Sequence, residues 1–232
     1  MASSDAVTRD QAAEAAGVQR PLAAFHLDKL ADQRVAVVGT GASAIQIVPF
    51  LGQYAKQLYV LQRTPPSVDS RPNPPTDPAW ASSLQPGWQK QRQENFHRGA
   101  LEGFRPGDTD LVCDFWTEIN RNIAAKLAAQ GWPEITPETF MAMREVEDYH
   151  VMERFRRRID EIVQDKATAA ALKPWFRFHC KRPLSSDTYY PTFNRPNVQL
   201  IDVRGSPASR PTASCSKFCS SPSANAPWCS WW

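Results

Sequence analysis

Val35-Ala36-Val37-Val38-Gly39-Thr40-Gly41-Ala42-Ser43-Ala44 decides the fold: four β-prone apolar residues, a Gly-x-Gly-x-x-Ala turn, then helix-prone residues 45–51. Strand, glycine turn and helix in that order predict a dinucleotide-binding βαβ unit. Gly39 permits the tight turn, Gly41 leaves the backbone open to a pyrophosphate, and Ala44 is small enough for helix and strand to pack closely. The anion would then sit at the positive end of the helix, where Ser43 adds a hydroxyl donor. Thr40, Ala42 and Gln46 complete the candidate cofactor contacts along this stretch.

The second strand, residues 57–62, ends at Arg63 and Thr64, twenty-four residues after Gly39. An NAD-specific site carries Asp or Glu near this position to bind the ribose 2′-hydroxyl. Arg63 instead offers a planar cationic fork, and Thr64 a hydroxyl, for a 2′-phosphate that a carboxylate would repel. The pair predicts NADP(H) over NAD(H).

The remaining composition sets limits. With 232 residues, 42% of them hydrophobic, the chain can bury a sizeable core. A net charge of +3 from 27 basic and 24 acidic residues is too dispersed to suggest a nucleic-acid partner, and suits an anionic small molecule. Neither a membrane-length apolar run nor a signal-peptide pattern is visible, so the expectation is a cytoplasmic protein without a membrane partner. His26, His97, His150 and His179 lack ligand spacing, and Cys215, Cys219 and Cys229 crowd the last eighteen residues, leaving Cys113 and Cys180 elsewhere. No metal site or disulfide framework is expected.

Texture divides the chain further. Residues 1–33 are Ala-rich and helix-prone, and seven prolines between 65 and 88 forbid a continuous regular element. Leu111, Phe115, Ile119, Ile123 and Leu127 recur every four residues and predict an amphipathic helix stopped by Gly131 and Pro133. Thr136 with Pro137 opens another, whose stripe of Met143, Val146, Tyr149, Met152, Phe155, Ile159 and Ile162 predicts core packing. Arg156, Arg157 and Arg158 point around that helix rather than converging, which predicts a solvated face. After Arg204, the Ser-, Pro-, Cys- and Trp-rich residues 205–232 lack periodicity and predict an irregular, disordered or frameshifted tail.

Three stretches carry a family resemblance: the residues quoted first, through Gln46; Tyr59 to Pro65; and Leu172-Lys173-Pro174-Trp175 with Cys180-Lys181-Arg182-Pro183, Asp187, Tyr189, Tyr190 and Phe193 to Val198. Together they resemble the class B flavoprotein monooxygenases, in particular the Baeyer–Villiger monooxygenases. In that family a helical insertion interrupts the NADP-binding domain. Members use NADPH to reduce FAD, trap O₂ as a peroxyflavin, and convert a ketone to an ester or lactone. The resemblance implies that Lys181 meets the NADP 2′-phosphate and that Arg182 is catalytic, holding the peroxyflavin anionic. A guanidinium suits that task because it does not lose its proton.

The expected class is thus α/β: a Rossmann-like NADP-binding domain (34–64 and 174–204) with a proline-rich connection and helical insertion (65–173). Family members also carry an earlier glycine turn and a Phe-x-Gly-x-x-x-His-x-x-x-Trp-Pro fingerprint for FAD. Nothing before Val35 matches either, Phe25-His26 being a remnant at most. The expectation is the middle of a monooxygenase, its FAD-binding segment missing, inactive alone and prone to self-association. Alternative readings are a flavin N- or S-oxidising relative, which would not need Arg182, and a non-catalytic NADP-binding module.

Overall fold

The computed structural model describes residues 27–72 and 74–204. Most of the helix-prone segment 1–33, the remnant Phe25-His26 and the tail 205–232 lie outside the described residues. A 3-10 turn at Leu27–Leu30 leads into β1, Arg34–Val38.

The glycine turn passes β1 into α1, Ala42–Tyr54, and β2, Gln57–Gln62, returns parallel to β1 with Val37 opposite Val60. Helix α1 is three residues longer at each end than the predicted 45–51. Pro49 lies inside it and forfeits one backbone donor without ending the helix. The chain then runs through β3 (Val68–Asp69), α2 (Pro78–Ser83), α3 (Trp88–His97), α4 (Glu118–Ala129), α5 (Pro137–Ile162) and α6 (Lys166–Leu172). It returns through β4 (Leu184–Ser185), α7 (Tyr189–Thr192) and β5 (Val198–Asp202). Strand β5 pairs parallel to β2, Leu200 opposite Val60, giving the order β1-β2-β5; β3 and β4 form a separate parallel pair. The class is α/β, helix-rich around a parallel sheet.

Two apolar clusters organise these elements. One joins Val37, Ile45, Val48, Leu58 and Val60 to Ile159, Val163, Leu172, Tyr189 and Tyr190. The other joins Phe115, Ile119, Ile123 and Leu127 to Val151, Met152, Phe155 and Phe178. Helix α5 contributes to both. Among the described residues no helix is long and apolar enough to cross a membrane.

Several expectations need correction. The helix predicted from Leu111 begins at Glu118; Leu111 and Phe115 precede it. Asp110 Oδ1 accepts from the Val112 and Cys113 amides, Asp114 Oδ1 from Trp116, and Cys113 adopts φ 53°, so short acidic side chains hold this segment in turns. On α5, Val146 and Tyr149 are 50% and 60% exposed. The buried stripe follows Glu147, Val151, Met152, Phe155 and Ile159, and Tyr149 lies about 200° around the helix from Glu147. Glu147 is buried because Asn122 and Lys126 of α4 donate to it. Arg156 and Arg158 are not a solvated face: Arg156 holds Pro174 O and Glu153, and Arg158 holds Val68 O and Asp187, leaving Arg157 exposed. Within the proline-rich connection regular structure comes only in short pieces, as expected; Pro78 opens the six-residue α2, with Asp77 capping the Ala79 amide.

Gly52 was not singled out by sequence, yet it sets how closely α1 approaches the end of the chain's return. A Cβ there would lie 2.7 Å from Thr192 Cγ2 and 3.1 Å from Val198 Cγ2. Thr192 cannot yield, because its hydroxyl donates to Thr188 O at 2.8 Å. Gly52 O also accepts from Arg195 Nε and Asn197 Nδ2. In an open helix Gly→Ala gains about 1 kcal/mol. Here overpacking should win, and Gly52→Ala is expected to lower the unfolding free energy by about 1–3 kcal/mol in urea denaturation. A stabilised variant would contradict the close approach.

Candidate functional site

The site lies where β1 and β2 end. In a parallel sheet the carboxyl ends of the strands face the crevice in which ligands bind. The Gly39 amide extends the β1–β2 ladder by donating to Leu61 O at 2.8 Å, and Gly39 then turns the chain at φ +97°, a conformation that suits glycine. Thr40 is 6% exposed and donates its hydroxyl to Thr64 O at 2.9 Å, tying the glycine turn to the end of β2. No side chain caps the first turn of α1, and no acidic residue stands in it. A Cβ added at Gly41 would meet nothing within 4 Å. The start of α1 is thus an open backbone cradle with positive polarity, the chemistry a pyrophosphate requires.

A cleft of about 740 Å³ opens over this cradle. It gathers three separate segments: Gly39 to Ala42 from the glycine turn, Arg63 and Thr64 from the end of β2, and Lys181 and Arg182 from the turn before β4. Not every predicted contact is brought in. Ala44 is 7% exposed beneath the helix, packing it on the sheet, while Ser43 and Gln46 face solvent and do not line the cleft. Gln46 donates to Ala42 O of its own helix at 2.9 Å. Sequence reasoning missed the apolar walls, Val38, Leu61, Pro66, Leu184 and Val203. Val38, at 83% exposure, had a readable signal as the strand residue abutting the glycine turn; the others converge only through folding.

The basic side of the cleft is built in a different way from its floor. Lys181 and Arg182 follow the 3-10 turn Phe178–Cys180, whose Phe178 is fully buried in the helical cluster. The Phe178 amide donates to Asp148 Oδ1 of α5 at 2.8 Å, and Arg177 pairs with Glu145 of the same helix. Burial pushes the Asp148 carboxyl up from its ordinary value, against the opposing pull of the Phe178 amide and of Arg177, Arg144 and Arg156. His179 Nδ1 lies 3.0 Å from an Arg144 guanidinium nitrogen. Crowding around the ring, and then that cation, push the imidazole down to about 4, so it accepts this hydrogen bond neutral at pH 7. Lys181 Nζ stands 5.4 Å from the Phe176 ring centre. Among the described residues Arg154, Arg156 and Arg158 all hold carboxylates, whereas the ion pairs include neither Arg63 nor Arg182. Two guanidiniums on the rim thus carry no carboxylate partner among the described residues.

No family model matches the chain. It is 50% identical over 186 residues to neopentalenolactone D synthase of Streptomyces avermitilis, covering 80% of this chain and 31% of that protein. It is 49% identical over 180 residues to Baeyer–Villiger monooxygenase ATR8 of Stachybotrys chlorohalonatus, covering 78% and 28%. Among solved structures, a polycyclic ketone monooxygenase of the fungus Thermothelomyces thermophila aligns with TM-score 0.64 and 38% identity, over 77% of this chain and 29% of that one. OTEMO in complex with FAD and NADP aligns with TM-score 0.52 and 26% identity, over 78% and 34%. By sequence and by fold, this chain is Baeyer–Villiger monooxygenase-like and spans about 30% of the length of the relatives it matches.

Proposed function

We propose that this chain carries the NADP(H)-binding part of an FAD-dependent Baeyer–Villiger monooxygenase, acting with O₂ on a small-molecule ketone to give an ester or lactone. The observation that carries the reading is the convergence of an open glycine cradle with Arg63, Lys181 and Arg182 on one cleft. In this reading residues 34–64 and 174–204 bind the nucleotide, and 65–173 form a helical insertion whose last turns pack back on the sheet through Ile159 and Leu172. The structure of OTEMO with FAD and NADP supports the choice of both cofactors.

Each residue has a distinct task. Gly39, Gly41 and Ala42 present backbone and helix amides to the pyrophosphate, and Thr40 locks that turn to β2. Arg63 and Thr64 take the 2′-phosphate from one segment and Lys181 from another. Two independently anchored cations grip a dianion more selectively than one, because a ligand lacking the phosphate forfeits both contacts. FAD, when bound, supplies the redox chemistry and the activation of O₂. Arg182 holds a permanent positive charge beside the nucleotide, where it stabilises negative charge developing on the reacting oxygen. The apolar walls, Val38 and Leu61 among them, exclude water around these charges and strengthen them.

Two variants test this reading. Gly41→Val puts a side chain into empty cradle space, so its thermal unfolding should match that of the parent while titration with NADPH or NADH shows no binding. Undiminished binding would reduce the turn to a structural element. Arg63→Ala removes one charge-assisted phosphate contact, worth about 1.5–3 kcal/mol, and should weaken NADPH binding roughly ten- to a hundredfold with NADH nearly unchanged. Equal losses for both nucleotides would sink the phosphate assignment.

A further inference from the structure

Lys181 and Arg182 reach the cleft on a segment pinned through a backbone amide on either side. Upstream, the Phe178 amide is fixed to Asp148 Oδ1 at 2.8 Å. Downstream, the Leu184 amide is fixed to Ser67 O at 3.0 Å, the first bond of the β3–β4 pair. Five residues separate the two pinned amides, so Lys181 and Arg182 have little slack. The downstream anchor belongs to the main chain of a strand pair. The upstream anchor depends on a single carboxylate on helix α5, and that helix is also committed to the helical cluster through Val151, Met152 and Phe155. Glu145 and Arg144 reinforce it, the first through Arg177 and the second through His179. Arg144 is in turn held by Asn120 Oδ1 of α4 at 3.1 Å, and Asn120 by Gly99 O at 2.8 Å. Arg63 shares none of this, since it stands at the end of β2.

We propose that Asp148 is a positioning residue for nucleotide selectivity: by holding the Phe178 amide it sets Lys181 and Arg182 at the cleft, so the helical cluster governs the preference for NADPH over NADH. The proposal rests on the nucleotide reading given above. Asp148 touches no cofactor in this scheme; it acts through the turn. Loosening the turn lets Lys181 retreat from the 2′-phosphate while the glycine cradle, on the sheet, keeps its grip on the pyrophosphate. Selectivity should therefore fall further than general nucleotide affinity.

The test measures dissociation constants for NADPH and NADH on the full 232-residue chain and on five variants. Asp148→Ala removes the acceptor and should weaken NADPH about tenfold, the equivalent of one charge-assisted hydrogen bond, with NADH changed less than about twofold. Asp148→Asn keeps an acceptor oxygen and should retain most of the selectivity. Asp165→Ala removes the cap of α6, which accepts from Thr168 at 2.7 Å, and controls for lost stability without touching the turn. Glu145→Ala, at an exposed position, should shift selectivity about twofold in the same direction and decides the question if Asp148→Ala does not fold. An unchanged NADPH/NADH ratio in Asp148→Ala, or in Glu145→Ala where the first variant is unfolded, overturns the proposal, as does an equal ratio shift in Asp165→Ala. Arg63→Ala separates the two levels. A ratio change there with none in Asp148→Ala removes only the positioning role, and no change in Arg63→Ala removes the phosphate reading and this proposal together.

Discussion

One 26-residue helix, Pro137–Ile162, is shared by two apolar cores, and the arrangement of the molecule depends on that sharing. Phe155 and Ile159, one turn apart and both fully buried, belong to different clusters. Between them in effect, Arg154 makes a bidentate pair with Asp69 of β3, at 3.0 and 2.8 Å, and also reaches Glu118 at the start of α4. Asp69 is 5% exposed, so its carboxylate is answered by Arg154 and by the Ser70 amide, which donates to it at 2.8 Å, rather than by water. The helix therefore fixes the sheet and the helical cluster relative to each other by packing and by charge at once.

This constraint explains why the cleft has the composition it has. Its floor, Gly39 to Ala42, comes from a local turn that any βαβ unit could form. Its cations come from two different parts of the fold, Arg63 from the sheet and Lys181 with Arg182 from a turn whose Phe178 is buried among helices. A basic rim assembled in this way has its geometry set by how two cores dock. Polar burial serves the same end: Thr40, Asp69, Asn120 and Glu147 are all buried and all hydrogen-bonded, each linking segments distant in sequence.

The glycines divide by the same logic. Gly39 is needed for its backbone angle, Gly41 for the space above it, and Gly52 for the space it leaves to Thr192 and Val198. Two of these serve the cleft and one serves packing. Only the first pair sits in a motif that can be recognised by spacing.

What the sequence determined by itself was local: the strand-turn-helix around Gly39 and Gly41, the counting that reaches Arg63, and Thr136 with Pro137 as a helix start, because each depends on neighbours along the chain. The parallel sheet followed from that unit, and the monooxygenase likeness from ordered motifs such as Cys180-Lys181-Arg182-Pro183. Tertiary structure decided the rest. Residues 111–117 keep a four-residue apolar repeat yet form turns, since Asp110 and Asp114 offer the backbone nearer acceptors than a helix would. Val146 and Tyr149 are apolar yet exposed, and Glu147 polar yet buried, because the partners of α5 set which face is covered. Arg156 and Arg158 read as solvated until the carbonyls of Pro174 and Val68 arrive from elsewhere in the chain. Asp148 carries no motif at all: its contact exists only because folding brings an amide thirty residues away onto its carboxylate.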